Sequence, residues 1–480
     1  MKVMKRDMYG GTQMSKKLRV KKQDGVTLIA LVVTIVVLII LATASMNAVF
    51  SDTGILRQSQ IEKDISANIA AHEDEMLNQT LGQYANSMVN TEVATGIEPY
   101  IDNVLVKAPK IDEGAMIPVK RSGDNWIKTT VSDEEWYNYA EKRWANVVLK
   151  DATIDETSGI LNEDEPYTML VWIPRFAYKI ESGWNQDSTE LLGSAGTINI
   201  AFINTKNEDR NGTAYNASYA TATVDSITTN AMSTYVQHPA FTYGENEIDG
   251  FWIGKYESSN TEGITGYNST NEYTLQIKAN VSSWRDINIS NIHTVCTSLN
   301  KIGNIYGLNT DDAKVDPHMI KNTEWGAVAY LSRSIYGNEE EIWNNSNNSY
   351  LTGYAGGTVN ASNEDTNSEY TYSTNTGVKA STTGNIYGVY DMSGCTYEYV
   401  AAYVNNVDYI QANTTDQYIF AQNLITANVR YRDVYTQGTT DTRADNFIAN
   451  SGKYGDAIYE ISSNGANNAS SSSISSSVSI

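Results

Sequence analysis

The run GVTLIALVVTIVVLIILA, residues 25–42, decides how this chain is expected to be organised. It belongs to an uncharged stretch from Gly25 to Ser51, with Asp24 and Asp52 on either side. A helix needs roughly 20 consecutive apolar residues to cross a bilayer. The sequence therefore predicts a membrane-spanning helix near the start of the chain.

The charges around this run indicate its orientation. Of the 34 basic and 56 acidic residues, eight Lys or Arg and two Asp lie in residues 1–24, which leaves 26 and 54 for the rest. Because basic flanks remain cytoplasmic, the later residues are expected to face outward, with the membrane as a partner. A part that acidic does not bind a phosphate backbone, so we exclude nucleic acid as a partner.

Two ordinary interpretations of the apolar run stay open. One is a permanent single-pass anchor. The other is a secretory signal peptide, because Ala42-Thr43-Ala44 has the small residues of a cleavage site, although the preceding apolar stretch is longer than usual.

A third interpretation comes from the residues around Gly25. The sequence KKQDG, residues 21–25, followed by VTLI resembles the processing site of type IV prepilins and pseudopilins. The resemblance implies a basic leader (residues 1–25), cleavage between Gly25 and Val26 by a prepilin peptidase, methylation of the new amine, and assembly with other pilin or pseudopilin subunits. Ala30 stands where most pilins have Glu, which favours a minor subunit with few neighbours.

The residues after the run continue with a helical period. The apolar positions that share one side are Ile61, Ile65, Ile69, Met76, Leu77, Leu81, Tyr84 and Met88. Acidic residues and Lys63 fill the other side, which is typical of an amphipathic helix. We therefore predict a pilin-like helix over residues 26–90, with a membrane half (26–48) and an amphipathic half (55–88); a stalk or short coiled coil is the alternative.

Residues 91–165 are predicted to form a linker and a small β-rich module. Prolines interrupt any helical period near its start, and short alternating runs surround Trp126, Trp136 and Trp144. We expect these aromatic side chains to be core residues, although an exposed pair could hold a sugar.

The rest of the chain is expected to be one irregular domain, residues 166–460, followed by a disordered Ser-rich tail, residues 461–480. One stretch has a clear helical pattern, from Ile320 to Tyr336. The predicted fold class is α+β: a long N-terminal transmembrane helix, the β-rich module and a loop-rich domain.

Two stretches of this domain carry a second resemblance. HMIKNTEWGAVAY, residues 318–330, and GNIYGVYDMSGCTYEYV, residues 384–400, resemble two signatures of the formylglycine-generating-enzyme, or sulfatase-modifying-factor, family. The resemblance implies a C-type-lectin-like fold. The positions that match the family motifs are Glu324, Trp325, Asp391, Met392, Gly394, Cys395 and Glu398.

The chemistry of that family is not evident in this chain. Its activity requires a late pair of reactive cysteines, whereas this chain has Cys296 and Cys395 in other settings. We predict no catalytic residue; whether the two cysteines form a disulfide stays open. Cys395 replaces an Asn that the family associates with calcium, so calcium is a weak expectation and no other cofactor is predicted. The four histidines lack ligand spacing, so no metal site is predicted.

Together these patterns predict a minor pilin or pseudopilin of a type IV pilus or a type II secretion-like filament. Its head would lie outside the cell, at the surface or on a pilus, and bind a carbohydrate or protein ligand in an adhesive role. The alternative is a membrane-anchored surface protein with a modifying activity of the formylglycine-generating-enzyme kind.

Overall fold

The computed structural model describes residues 108–181, 197–209, 211–216, 232–265, 269–359, 361–405 and 417–436, and residues 450, 455 and 460. All of them belong to one unit, Ala94–Ile480. The leader, the processing residues Gly25 and Val26, the helix predicted over 26–90 and the tail 461–480 lie outside the described residues.

Short strands and a few helices make up this unit. The strands are β1 (Ile117–Ser122), β2 (Asn125–Lys128), β3 (Asn146–Val148), β4 (Met169–Pro174), β5 (Phe176–Ile180), β6 (Ile198–Phe202), β7 (Val236–Gln237), β8 (Thr242–Tyr243), β9 (Asn246–Glu247), β10 (Gly250–Gly254), β11 (Ser259–Asn260), β12 (Leu275–Gln276), β13 (Ala402–Asn405) and β14 (Asp433–Thr436). The α-helices are α1 (Ile289–Ser298), α2 (Asn322–Ser332) and α3 (Gln417–Thr426).

A five-stranded antiparallel sheet joins segments that are far apart in the chain. Its strand order is β10-β4-β3-β1-β2. Strand β3 pairs with β4 so that Val147 lies opposite Leu170. The β-rich segment before residue 165 and the apolar strand after it therefore belong to the same sheet, and the boundary expected at 165–166 does not separate two sheets.

The three tryptophans of the N-terminal part of this sheet are core residues, as predicted. Trp126, Trp136 and Trp144 are at most 1% exposed. The indole N–H of Trp136 donates to the carbonyl of Asn146 (2.8 Å), and that of Trp144 donates to the carbonyl of Tyr336 (2.8 Å). A buried indole N–H needs a hydrogen-bond acceptor. These two bonds therefore help to fix the positions of the rings, together with apolar packing. The alternative of an exposed tryptophan pair is wrong.

The helix predicted from Ile320 to Tyr336 is found as α2, Asn322–Ser332, and all its residues are buried. The carboxylate of Glu324 accepts a hydrogen bond from the backbone N–H of Lys321 (2.8 Å), which satisfies a donor at the helix start. Helices α1 and α3 were not predicted, because their many Asn, Ser, Thr and Gln residues leave no clear apolar period. They contact each other, and the backbone N–H of Asn423 donates to Ser290 Oγ (3.1 Å).

The predicted fold class is wrong for the part of the chain that the structure describes. The predicted class had one long helix as its main element. In the described part, α1, α2 and α3 have 10, 11 and 10 residues, and the remainder is mostly strands and loops. No helix among the described residues is long and apolar enough to cross a membrane. The physical reason is the abundance of Asn, Ser and Thr, whose side chains bond to nearby backbone groups and favour turns over long elements.

The end of the described chain is tied to the core. The carboxylate of Glu460, which is 1% exposed, accepts hydrogen bonds from Tyr178 (2.8 Å) and Tyr330 (2.6 Å). The backbone N–H of Gly455 donates to the Tyr178 hydroxyl (2.8 Å). Gly455 and Glu460 are therefore part of the packed unit.

Replacing Glu460 with Ala is expected to lower the free energy of unfolding by about 2 kcal/mol, because two buried tyrosine hydroxyls lose a charged acceptor. Urea unfolding of the full-length protein, followed by tryptophan fluorescence, measures this change. Glu460→Gln, which keeps an acceptor oxygen, should cost less, and the exposed Glu340→Ala should cost nothing measurable. Equal midpoints for Glu460→Ala and Glu340→Ala would contradict the anchoring role.

Candidate functional site

The two sequence motifs meet at the start of α2. The indole N–H of Trp325 donates to Glu398 Oε2 (3.1 Å), across 73 residues of sequence. Met392 and Trp325 are both buried in the same apolar core. Trp325 of the first motif and Glu398 of the second are thus in direct contact.

Asp391 fixes three separate segments through one side chain. It is 1% exposed. Its Oδ1 accepts hydrogen bonds from Asn345 Nδ2 (2.8 Å) and the N–H of Gly353 (2.9 Å), and its Oδ2 accepts from the N–H of Glu257 (3.2 Å). Buried backbone donors need acceptors, so this carboxylate sets the positions of all three loops.

Glu257 supports the same turn from the other side. Its carboxylate accepts hydrogen bonds from the backbone N–H of Thr396 (3.0 Å) and from the Thr396 hydroxyl (2.7 Å). Glu257, Asp391 and Glu398 therefore form a group of buried or half-buried acids beneath residues 395–399, which we call the carboxylate cluster.

Burial raises the pKa values of the acids in the carboxylate cluster. Burial and the charge of Glu257 raise the pKa of Asp391 to about 7 and that of Glu398 to about 8. Burial also raises the pKa of Glu257. Because charged forms of closely spaced buried acids repel each other, the neutral forms dominate over a wider pH range than in water.

Neither cysteine is set up as a nucleophile. Both are free thiols, so the disulfide left open by the sequence is not formed. Burial, followed by the charge of Glu257, raises the pKa of Cys395 well above its ordinary value. Burial raises the pKa of Cys296 to about 12. The thiolate is the reactive form, and it is disfavoured at both positions.

The turn around Cys395 does not fit calcium. Calcium takes six to eight oxygen ligands, and here a thiol stands among the acids. Both oxygens of Asp391 accept backbone N–H groups, and both oxygens of Glu257 accept from Thr396. Within the described ranges, no group of three or more His, Cys, Asp or Glu side chains is arranged to hold a metal ion.

A buried lysine holds the segment that leads into Asp391. Lys255 is fully buried, and its Nζ donates to the carbonyls of Ile386 (2.7 Å) and Gly388 (2.8 Å). It also lies 5.2 Å from the ring centre of Trp126 and 5.5 Å from that of Tyr390. Burial lowers the pKa of Lys255 well below its ordinary value. Carbonyl dipoles and ring faces thus replace a carboxylate partner.

A histidine pairs with the motif acid Glu324. His318 Nε2 lies 3.1 Å from Glu324 Oε1, and Lys321 Nζ lies 3.3 Å from the same oxygen. Although burial opposes ionisation, the charges of Lys321 and His318 lower the pKa of Glu324 to about 2. Burial also opposes the charged form of His318, yet Glu324 raises its pKa above the ordinary value. Glu324 is therefore an ionised structural acid that caps α2.

Exposed aromatic side chains flank Glu398 in the sequence, and another lies at Tyr350. Tyr397 is 75% exposed, Tyr399 is 45% exposed and Tyr350 is 38% exposed. The guanidinium of Arg285 stacks on Tyr350, 4.2 Å from the ring centre. We call Arg285, Tyr350, Tyr397 and Tyr399 the tyrosine surface.

Hydrogen bonds through Ser283 connect the parts of the tyrosine surface. Its N–H donates to the carbonyl of Tyr350 (2.9 Å), and its hydroxyl lies 3.3 Å from the hydroxyl of Thr396. Ser283 therefore connects the segment of Arg285 with Tyr350 and with Thr396, the residue before Tyr397, and Thr396 is held by Glu257.

Several residues of the site were not selected from the sequence. Glu257, Arg285 and Asn345 lie 134, 106 and 46 residues before Asp391 in the sequence, and no local spacing relates them to it. His318 stood inside the first motif, but its pairing with Glu324 gave no sequence signal. Only the exposed tyrosines had a signal, since the chain contains 32 Tyr.

Comparison with known proteins adds no family to this description. No protein-family model matches the chain, and no curated protein or solved structure shows significant similarity to it.

Gly394 can be tested as the steric centre of the motif turn. Its φ is +88°, and a Cβ there would lie 2.1 Å from Asn344 Oδ1 and 2.3 Å from the carbonyl oxygen of Asn345. Gly394→Ala is expected to cost about 3 kcal/mol of unfolding free energy, from backbone strain and overpacking together. Gly123→Ala is the control, because Gly123 also has positive φ (+58°) but no atom within 4 Å. It should cost about 1 kcal/mol. Equal losses in urea unfolding would contradict the close packing.

Glu398 can be tested through the pH dependence of stability. Its pKa is raised to about 8 in the folded state, so folding retains a proton that the unfolded chain releases. Stability should therefore fall as pH rises from about 5 to 8, by at most about 1.4 kcal/mol per pH unit for one proton. Glu398→Gln should remove this part of the slope and be the more stable protein at pH 8, by comparison of urea midpoints. The exposed Glu272→Gln should keep the wild-type slope; an unchanged slope in Glu398→Gln would contradict the assignment.

Proposed function

We propose that this chain is a minor pilin-like or pseudopilin-like subunit, and that the unit described above is its outward-facing binding head. The observation that carries the proposal is the tyrosine surface. Tyrosine provides large contact area with little loss of conformational entropy, and it is the residue that many binding surfaces use most.

Preorganisation of this surface supports binding. The loop that carries Tyr397 and Tyr399 is fixed from below by Glu257, Asp391 and Glu398. A ligand that meets a fixed loop does not have to order it, so less binding free energy is lost. Buried motif residues thus serve as the support of an exposed surface.

The sequence at the other end supports display outside the cell. The basic leader, the junction of Gly25 with Val26 and the apolar run 26–48 have the order of a prepilin. The part after the run is acidic and suited to a soluble exterior position. Processing after Gly25 would leave the apolar run to hold the subunit in the membrane or in a filament.

A modifying enzyme is less well supported. Such an activity needs a reactive thiol, and burial disfavours the thiolate at Cys296 and Cys395 alike. The carboxylate cluster accepts hydrogen bonds from backbone N–H groups and side chains of its own unit, such as Gly353 and Thr396. These acids therefore hold the loops of their own unit, because their oxygens already accept hydrogen bonds from it.

The processing site can be tested directly. Coexpression of the full chain with a prepilin peptidase is expected to give a mature protein that begins at Val26, with N-methylation, as read by N-terminal sequencing and mass spectrometry. Gly25→Ala should abolish this cleavage, because the resembled peptidases cut after Gly. Gly54→Ala, the same change beyond the apolar run, should be processed normally.

Two results would count against the proposal. A mature N-terminus at Ser45 would identify a signal peptide, and an uncut chain would identify a permanent anchor. Immunodetection in sheared surface fractions separates a filament subunit from a plain membrane protein, because only the former is released together with filaments.

A further inference from the structure

We propose that the tyrosine surface binds acidic polysaccharide, with Arg285 taking the carboxylate of a uronic-acid unit and the exposed tyrosines contacting the sugar rings. This inference rests on the proposed function, since it names the ligand class of the proposed binding head.

The state of Arg285 is the first argument. Among the residues that the structure describes, Arg285 forms no ion pair; its Nε is buried without a hydrogen-bond partner, so only the two terminal amino groups of the guanidinium are left to meet a ligand. The neighbouring Asp286 is exposed and does not pair with it. This is notable in a chain with 56 acidic and 34 basic residues, where a carboxylate partner is easily found. The planar guanidinium has five N–H donors, so it can still bind a carboxylate through two parallel hydrogen bonds.

The orientation of Arg285 is the second argument. Its guanidinium lies 4.2 Å from the ring centre of Tyr350. Stacking on an aromatic face holds the plane of the guanidinium without using its N–H edges. The side chain is therefore held in place without use of its two terminal amino groups, and an approaching anion does not have to restrict it.

The tyrosines favour a sugar over other carriers of carboxylate. Tyr397 and Tyr399 present 75% and 45% of their surface to solvent, next to Thr396 and Ser283. A pyranose ring offers C–H groups that pack on an aromatic face and hydroxyls that bond to the phenol and to neighbouring polar groups.

The overall charge of the protein shapes the expected affinity. A net charge of −22 repels an acidic polymer at long range. At about 150 mM salt this repulsion is screened beyond roughly 8 Å, whereas the contact at Arg285 acts at hydrogen-bond distance. Binding should therefore strengthen as salt rises from about 10 to 150 mM, opposite to the behaviour of a basic patch that collects anions non-specifically.

The test uses the full-length protein and polygalacturonate, with the fully methyl-esterified polymer as the matched neutral ligand. At about 150 mM salt, polygalacturonate should bind about tenfold more tightly than its ester, in biolayer interferometry or calorimetry. Arg285→Ala should lose about this factor, and Arg285→Lys should recover only part of it, because an ammonium lacks the planar fork. Tyr397→Ala, at a side chain too exposed to affect folding, should weaken both polymers.

The controls separate this inference from its rivals. Lys314→Ala removes the same charge from an exposed position elsewhere and should leave binding unchanged. Equal binding of the acid and ester polymers, an equal loss in Lys314→Ala, or poly-glutamate binding as tightly as polygalacturonate would each overturn the assignment. Absence of binding would also overturn it, whereas the proposed function would fail separately, through the mature N-terminus and the sheared fractions.

Discussion

The described unit depends on one buried carboxylate, that of Asp391. It accepts hydrogen bonds from Asn345, Gly353 and Glu257, which lie on three segments far apart in the sequence. An acceptor with several buried donors is costly to remove, because each donor would lose its partner in a medium that water does not reach. The loops of this unit are long and polar, so such bonds take the place of extended strands in fixing them.

The carboxylate cluster holds the turn that carries the exposed tyrosines. Glu257 holds Thr396 by two hydrogen bonds, and Glu398 accepts from Trp325 on the buried helix α2. Tyr397, between these anchors, and Tyr399, directly after them, are exposed to solvent. Tyr397 and Tyr399 flank Glu398 in the sequence, so the exposed tyrosines are attached directly to a member of the carboxylate cluster. Burial raises the pKa values of all three acids, which favours their neutral forms in the interior.

Structural elements that depend on neighbouring residues could be predicted from the sequence, whereas those that depend on pairing between distant residues could not. The helix predicted from Ile320 to Tyr336 and the buried tryptophans were recognised, because helical period and apolar alternation involve neighbours in sequence. The fold class was wrong, because the described unit is mostly strands and loops that pair over long distances, such as β4 with β10. The two polar helices were missed for a related reason, since their burial depends on contact with each other.

The sequence by itself determined the charge asymmetry of the chain, the apolar run after Gly25 and the motif residues from Glu324 to Glu398. These features depend on residue type and short spacing alone. Only the tertiary structure decided that Glu257 lies beneath Thr396, that the two cysteines are free thiols, and that Arg285 stacks on Tyr350 without an acidic partner among the described residues. The reason is that burial and pairing across many residues are set by chain folding, and these contacts then fix both the pKa values and the exposed surface.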